Sequence, residues 1–286
     1  MRKMGNRYFS QYLLNTGVLN AGNVSTILPK SAHAVPQLHV LAIQQHLLSE
    51  SQIDELSAAA DGAKALEEKK MLSEAQLKSL QNGIAGRGAA RIAQTLLDEK
   101  LADLKTLDRC FREYDNDDVR PIKDAVSKII DKHEDMNPVG DMYSEYTEMF
   151  VGALQRFMNT DAVVLAEVDE LDTEGTRLVS QSMGGQLSLA VALLAKDPVF
   201  LDMANRYSGE SLTEIDELAE DSLAEFINVL NGLYIVNLSG QDFDMDLDMP
   251  RSGQNVSPVA SSMIAMRVVT DFGAFIVYLA EDEFIY

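Results

Sequence analysis

Residues 177–194 read RLVSQSMGGQLSLAVALL, two aliphatic and polar runs either side of Gly184-Gly185. A type I′ turn needs positive φ at two successive positions, which paired glycines supply without steric cost. The stretch therefore predicts strands over 177–182 and 186–194 joined as a hairpin. Working upstream, residues 162–168 (AVVLAEV) read as a further strand over 163–168. Before them Tyr143, Tyr146, Phe150, Leu154 and Phe157 recur at helical spacing, which predicts an amphipathic helix over 141–159. Downstream, Asp197-Pro198 predicts a short helix with Asp197 as its cap and Pro198 at the first helical position. Ser211-x-x-Glu214 has the form of a capping box opening a helix that runs to about residue 237. Residues 242–249 (DFDMDLDM) alternate without a break and read as a strand with one wet face, ended by Pro250. Residues 260–269 and 274–280 predict a final hairpin about 271–273. The order of elements gives an α+β class: a largely antiparallel sheet with long helices.

The first half has a different texture. Strong helix formers dominate it and β-branched runs are scarce, so it reads as all-helical. It also carries a weak internal repeat. Leu13-Leu14-x-x-Gly17, Ala42-Ile43-x-x-His46, Leu66-Glu67-x-x-Lys70 and Leu96-Leu97-x-x-Lys100 are each followed by a second apolar pair: Val24 and Ile27, Ile53 and Leu56, Leu77 and Leu80, Leu107 and Cys110. Each unit reads as two short helices about a tight turn, with Ser49 and Ser73 where the second helix needs an N-cap. Stacked hairpins of this kind bury a common apolar seam. The polar stretch 131–140 (DKHEDMNPVG) marks the boundary, giving a helical repeat domain over 1–135 and an α+β domain over 139–286.

The chain has 286 residues with a formal net charge of −21. That field repels nucleic acid and anionic membrane surfaces, both of which need basic contacts. The lone Cys110 cannot form an internal disulfide, and a reduced cytoplasmic compartment is expected. The start Met1-Arg2-Lys3 is followed by Asn6, Arg7, Ser10 and Gln11 rather than an apolar core, so no signal peptide is expected. The longest apolar stretch, near 187–195, is too short for the roughly 20 residues a bilayer needs, so no membrane insertion is expected.

The helix after Ser211 carries the chemistry. At about 100° per residue, Leu212, Ile215, Ala219, Phe226, Leu230 and Leu233 gather on one side. Asp221, Glu225, Asn228 and Gly232 gather on the other, at spacings of four, three and four, so Glu225 and Asn228 are neighbours on one stripe. Glycine inside a helix costs about 1 kcal/mol relative to alanine, and Gly232 leaves room for another backbone to approach. Asp221-x-x-x-Glu225-x-x-Asn228-x-x-x-Gly232, followed by a strand ending at Pro250, resembles the signature of the CheC/CheX-type chemotaxis phosphatases over residues 140–286. The gap from Asn228 to Pro250 is one residue shorter than the family's.

That resemblance implies that Asn228 orients water against the acyl phosphate of a phosphorylated response regulator. It implies that Glu225 pairs with the regulator's active-site lysine, and that Asp221 and Gly232 lie in the partner-binding stripe. It implies no cofactor on this chain, magnesium on the partner regulator, and leaves a homodimer open. Family members with a second site carry a second such helix. Here the candidate is 141–159, where Glu148 is followed three residues later by Val151 rather than Asn, so one site is expected. The alternative is a non-catalytic adaptor that binds a signalling partner.

The helical half loosely resembles the N-terminal helical modules of secretion ATPases, some of which bind cyclic di-GMP. A plain helical scaffold or protein-binding module is the expected role. Other motifs read as structure. Asp242, Asp244, Asp246 and Asp248 lack the Gly and Glu that a calcium loop places at positions six and twelve, which counted from Asp244 are Met249 and Asn255. Gly83-x-x-Gly86-x-Gly88 follows a helical segment and reads as a turn, not a phosphate loop. His39 and His46 lack a third ligand at zinc spacing, which predicts surface histidines and no metal.

Overall fold

The computed structural model describes residues 8–59, 61–82, 87–115, 118–131, 140–166 and 172–286. It divides into two compact units, Met1–Pro121 and Ile122–Tyr286. The expected boundary stretch lies mostly outside the described residues, as do Gly83 and Gly86. Among the described residues no helix is long and apolar enough to cross a membrane.

In the first unit the repeat appears as successive helix pairs: α1(Phe9–Asn15) with α2(Ala21–His33), α3(Leu38–Gln44) with α4(Glu50–Ser57), α5(Gly62–Glu68) with α6(Glu74–Asn82), and α7(Arg87–Asp98) with α8(Leu104–Tyr114). The expected hairpin packing is corrected: the helices of one pair touch each other little, and the main packing is between pairs, α2 on α7 and α3 on α8. Each first helix ends on a left-handed residue at the same repeat position: Gly17 (φ 78°), His46 (54°), Lys70 (49°) and Lys100 (58°). After the last three, the backbone closes in one pattern. Leu47, Met71 and Leu101 donate back to Ala42, Leu66 and Leu96, while the left-handed residues themselves donate to Ile43, Glu67 and Leu97. This is the Schellman arrangement, which satisfies carbonyls the helix end would leave bare. Ser49 caps α4 in a capping box with Gln52. Ser73 does the same for α6: it accepts from Gln76 N–H at 3.3 Å, while Gln76 Oε1 accepts from Ser73 N–H at 2.9 Å. Leu13, Val24, Ile43, Leu56, Leu66, Leu96 and Leu107 are buried within this unit.

One histidine expectation is corrected here. His39 is 6% exposed, packed under Gly62, with its Nδ1 unpartnered. It sits on the inner side of the short, mostly apolar α3, whose Val40, Leu41, Ala42 and Ile43 are buried with it. His46 stays half-exposed and meets Asp115 at 2.7 Å.

The second unit contains α10(Gly140–Met158), α11(Asp197–Ser208) and α12(Glu217–Ser239), with strands β1(Ala162–Leu165), β2(Thr176–Gly185), β3(Leu189–Lys196), β4(Met245–Leu247), β5(Arg251–Gln254), β6(Met263–Thr270) and β7(Gly273–Ala280). A further helix, α9(Pro121–Ile130), precedes α10. The sheet runs β1-β6-β7-β3-β2-β4, with β5 also on β2, and every pairing is antiparallel. The unit is therefore α+β with an antiparallel sheet. α10, α11 and α12 pack on the sheet. Side chains alternate across the pleat. Leu178, Ala190, Ala192, Leu194, Ile276 and Tyr278 form a cluster with Phe284 of the C-terminal segment. Residues of the other parity in β2 turn to α12, with Arg177 reaching Glu220 at 2.8 Å and Gln181 reaching Asn228 at 2.9 Å.

Four sequence expectations are corrected in this unit. Gly184 and Gly185 do not form the hairpin turn. The β2–β3 register closes at Met183 with Leu189, and the two glycines extend β2 to pair with Asp246 and Met245 of β4. The glycine at 185 serves close approach, since a Cβ there would lie 2.3 Å from the Asp244 carbonyl oxygen. Asp197 is not a cap but the first residue of α11; Lys196 holds the cap position and the Asp197 carboxylate is taken by Arg177 at 3.2 Å. The next helix opens at Asp216, whose side chain accepts from Ala219 N–H at 3.0 Å, not at Ser211. Asn205 explains the delay: it accepts from Leu212 N–H at 2.6 Å and donates to the Leu212 carbonyl at 3.0 Å, tying the connection back to α11. Finally, the 242–249 strand shrinks to the three residues of β4, which among the described residues pair with β2 alone, and β5 follows Pro250. Met245 is buried, but Leu247 and Met249 are exposed, so the expected apolar face does not form.

Candidate active site

α12 is an unbroken helix of 23 residues. Glu217 and Glu220 in its first turn complement the positive end of the helix dipole. Its inner face buries Ala219, Leu223, Phe226, Ile227, Leu230 and Tyr234. Leu233, expected on that face, is 43% exposed. The opposite side carries Asp221 and Glu225, both exposed, then Asn228 and Gly232, both half-exposed. Asn228 Nδ2 lies 3.4 Å from Glu225 Oε2, so the amide and the carboxylate stand side by side on a stiff element. Among the described residues nothing demands glycine at 232: a Cβ there would meet only Leu247 Cδ1, at 3.9 Å.

Several residues that the sequence reading did not single out converge on this pair. Gln181 of β2 donates from Nε2 to Asn228 Oδ1 at 2.9 Å and to the Asp248 carbonyl at 2.7 Å. Its Oε1 accepts from Asn231 Nδ2 at 2.9 Å. Asn231 Oδ1 in turn accepts from the Tyr146 hydroxyl at 2.7 Å. Gln181 had a readable signal, a polar residue of the same strand parity as Val179 and Met183, both buried. Tyr207 of α11 stacks edge-on against Phe226 with centroids 5.4 Å apart. Burial, and then the nearby Glu225 carboxylate, push its phenol up from the ordinary value.

No family model matches this chain, and no curated protein matches it. Solved structures do. The chain resembles CheX and CheC-like chemotaxis proteins over about half its length. One is a chemotaxis protein CheX from Desulfovibrio desulfuricans, at 15% identity and TM-score 0.42, covering 48% of this chain and 96% of that one. A CheC-like superfamily protein from Shewanella sp. PV-4 is 19% identical with TM-score 0.41, covering 47% of this chain and 92% of that one. A CheX–CheY–BeF3–Mg complex from Borrelia burgdorferi is 14% identical with TM-score 0.39, covering 48% and 96%.

Elsewhere the described residues offer less chemistry. Among them no group of three or more His, Cys, Asp and Glu is placed to hold a metal ion. Cys110 is buried, and burial pushes its thiol up to about 11, away from the thiolate that nucleophilic work needs. The first unit holds a cleft of about 1070 Å³ lined in part by Asp61, Asp98, Asp103 and Lys100. A cyclic dinucleotide carries two phosphates, and three carboxylates around one cleft oppose that charge.

Proposed function

We propose that the second unit is a phosphatase acting on the aspartyl phosphate of a chemotaxis-type response regulator. Asn228 positions the attacking water and Glu225 pairs with the regulator's active-site lysine. The observation that carries this reading is the adjacency of Asn228 and Glu225, 3.4 Å apart on the solvent side of unbroken α12. Water attacks phosphorus in line, the bond from phosphorus to the aspartyl oxygen breaks, and the products are a free carboxylate and inorganic phosphate. Such transfer asks the protein for positioning and charge stabilisation rather than covalent help. A neutral amide holds water without repelling phosphate. A carboxylate anchors to a cation, and a helix packed on a sheet keeps both aimed. Under this reading magnesium belongs on the regulator.

The test uses chemotaxis-type regulators loaded from acetyl phosphate, with phosphate loss followed in the presence of the full chain. Wild type accelerates loss, and Asn228→Ala lowers the accelerated rate about 10²–10³-fold, the scale for removing a polar transition-state contact. Equal rates for the two proteins would overturn the role given to Asn228. Tight binding without any acceleration would instead support the adaptor reading.

A further inference from the structure

A half-exposed asparagine on a helix does not by itself present one face. The terminal amide torsion is broad and roughly two-fold, so oxygen and nitrogen exchange places at small cost. In this protein the choice is fixed from behind. The Asp248 backbone carbonyl can only accept, so the Gln181 atom facing it at 2.7 Å is the nitrogen. The oxygen of Gln181 therefore faces Asn231, which must offer its own nitrogen, at 2.9 Å. Asn231 then turns its oxygen to the Tyr146 hydroxyl, at 2.7 Å. Burial raises the Tyr146 phenol well above its ordinary value, so it remains a neutral donor at working pH. The second Gln181 proton goes to Asn228 Oδ1, which leaves Asn228 Nδ2 turned outward beside Glu225.

We infer that Gln181, Asn231 and Tyr146 form a positioning relay that holds the Asn228 carbonyl inward and presents its NH2 group to the substrate. Gln181 is 2% exposed, and Asn231 and Tyr146 are fully buried, so none of the three touches a partner. The Tyr146 ring is pinned edge-on to Tyr234, with centroids 5.2 Å apart and planes at 88°. The ladder crosses α10, α12 and β2, so the sheet and both helices must be in register for the amide to be set. Bonded network members support one another in low dielectric, which makes the far end count at the near one. The inference rests on the phosphatase reading and names what aims its water-binding residue.

The experiment is a double-mutant cycle on the full chain, with kcat and KM read under multiple-turnover conditions on a chemotaxis regulator kept loaded by acetyl phosphate. An ordinary net hydrogen bond biases a two-way choice roughly fivefold. Losing that preference takes the inward-carbonyl state from about five-sixths to about one-half of the population, so Gln181→Met is expected to lower kcat roughly twofold with KM for the phosphorylated regulator unchanged. On the Asn228→Ala background the same substitution has no further effect, because nothing remains to be aimed. Tyr146→Phe keeps the ring packing, lowers kcat in the same direction by less, and is likewise silent without Asn228. It decides the matter should Gln181→Met fail to fold. A loss that multiplies in full on the Asn228→Ala background, or a kcat equal to wild type in the folded variants, would overturn the relay alone. No acceleration by wild type overturns the phosphatase reading itself.

Discussion

His39 is buried to 6% exposure with an unpartnered Nδ1, and burial lowers its pKa, a shift that Asp61 and Asp98 oppose without reversing. An unfolded histidine takes its proton near pH 6.5. The native ring resists until lower pH, so in that window the unfolded state binds more protons and native stability rises with pH. Above pH 6.5 both states are neutral and there is no penalty. As pH falls from 6.5 toward 5, wild type should lose stability relative to His39→Leu, read by hydrogen exchange at the amides of α3 in the full chain. Parallel curves for the two proteins would refute the buried neutral imidazole. Residues of this kind were the hardest to read. Glu225 and Asn228 could be placed together because helical spacing alone makes them neighbours. His39 sits on a helix of seven residues, too short for its apolar face to be told from its wet one. Gln181 meets Asn228 across 47 residues of chain, and no local pattern encodes that partner.

Among the elements, the four first helices of the repeat stop in one way whatever residue stands at the stop. The left-handed region crowds Cβ, at about 1–2 kcal/mol for an ordinary residue. Lys70 and Lys100 bear that strain, and Gly17 does not. Lys70→Gly and Lys100→Gly should each stabilise the protein by about 0.5–1 kcal/mol, after allowing for the extra freedom glycine gives the unfolded chain. Gly17→Ala should destabilise by about 1 kcal/mol, through backbone strain alone, since a Cβ there meets nothing within 4 Å. Denaturant midpoints at constant slope would show both signs, and a destabilising Lys100→Gly would refute the strain argument. The succession of short helices was legible from recurring apolar pairs, but their partners were not, since α2 packs on α7 and α3 on α8. Their common stop was not legible either, because three of four stops lack the glycine that announces one. The reverse happened in β2, where two glycines announced a turn and one of them, Gly185, serves instead the close approach of β4. The start of α12 was missed because Asn205, on the preceding helix, holds the connection out of helical geometry until Asp216.

At the scale of the molecule, the change of texture between the two halves told of a helical unit and an α+β unit, since composition and period are summed over many residues and local errors average out. Strand order was not legible, because antiparallel pairing of β3 with β7 or β1 with β6 joins segments about 80–110 residues apart, as the registers of Leu194 with Ile276 and Ala162 with Thr270 show. What the division places within one unit has a functional consequence. Glu225, Asn228, Gln181, Asn231, Tyr146 and the Asp248 carbonyl all belong to Ile122–Tyr286. That unit also contributes a core of large side chains, among them Tyr143, Phe150, Phe226 and Phe275, all buried. A chain of this length can bury enough apolar surface to fold. The fragment 122–286 should therefore show a single cooperative unfolding transition and the same kcat on an acetyl-phosphate-loaded regulator as the full chain. Removal of 1–121 takes away none of the groups that aim the amide. A fragment that folds cooperatively yet no longer speeds phosphate loss would mean that the helical unit supplies part of the site, and the assignment of the chemistry to α12 and β2 alone would fail.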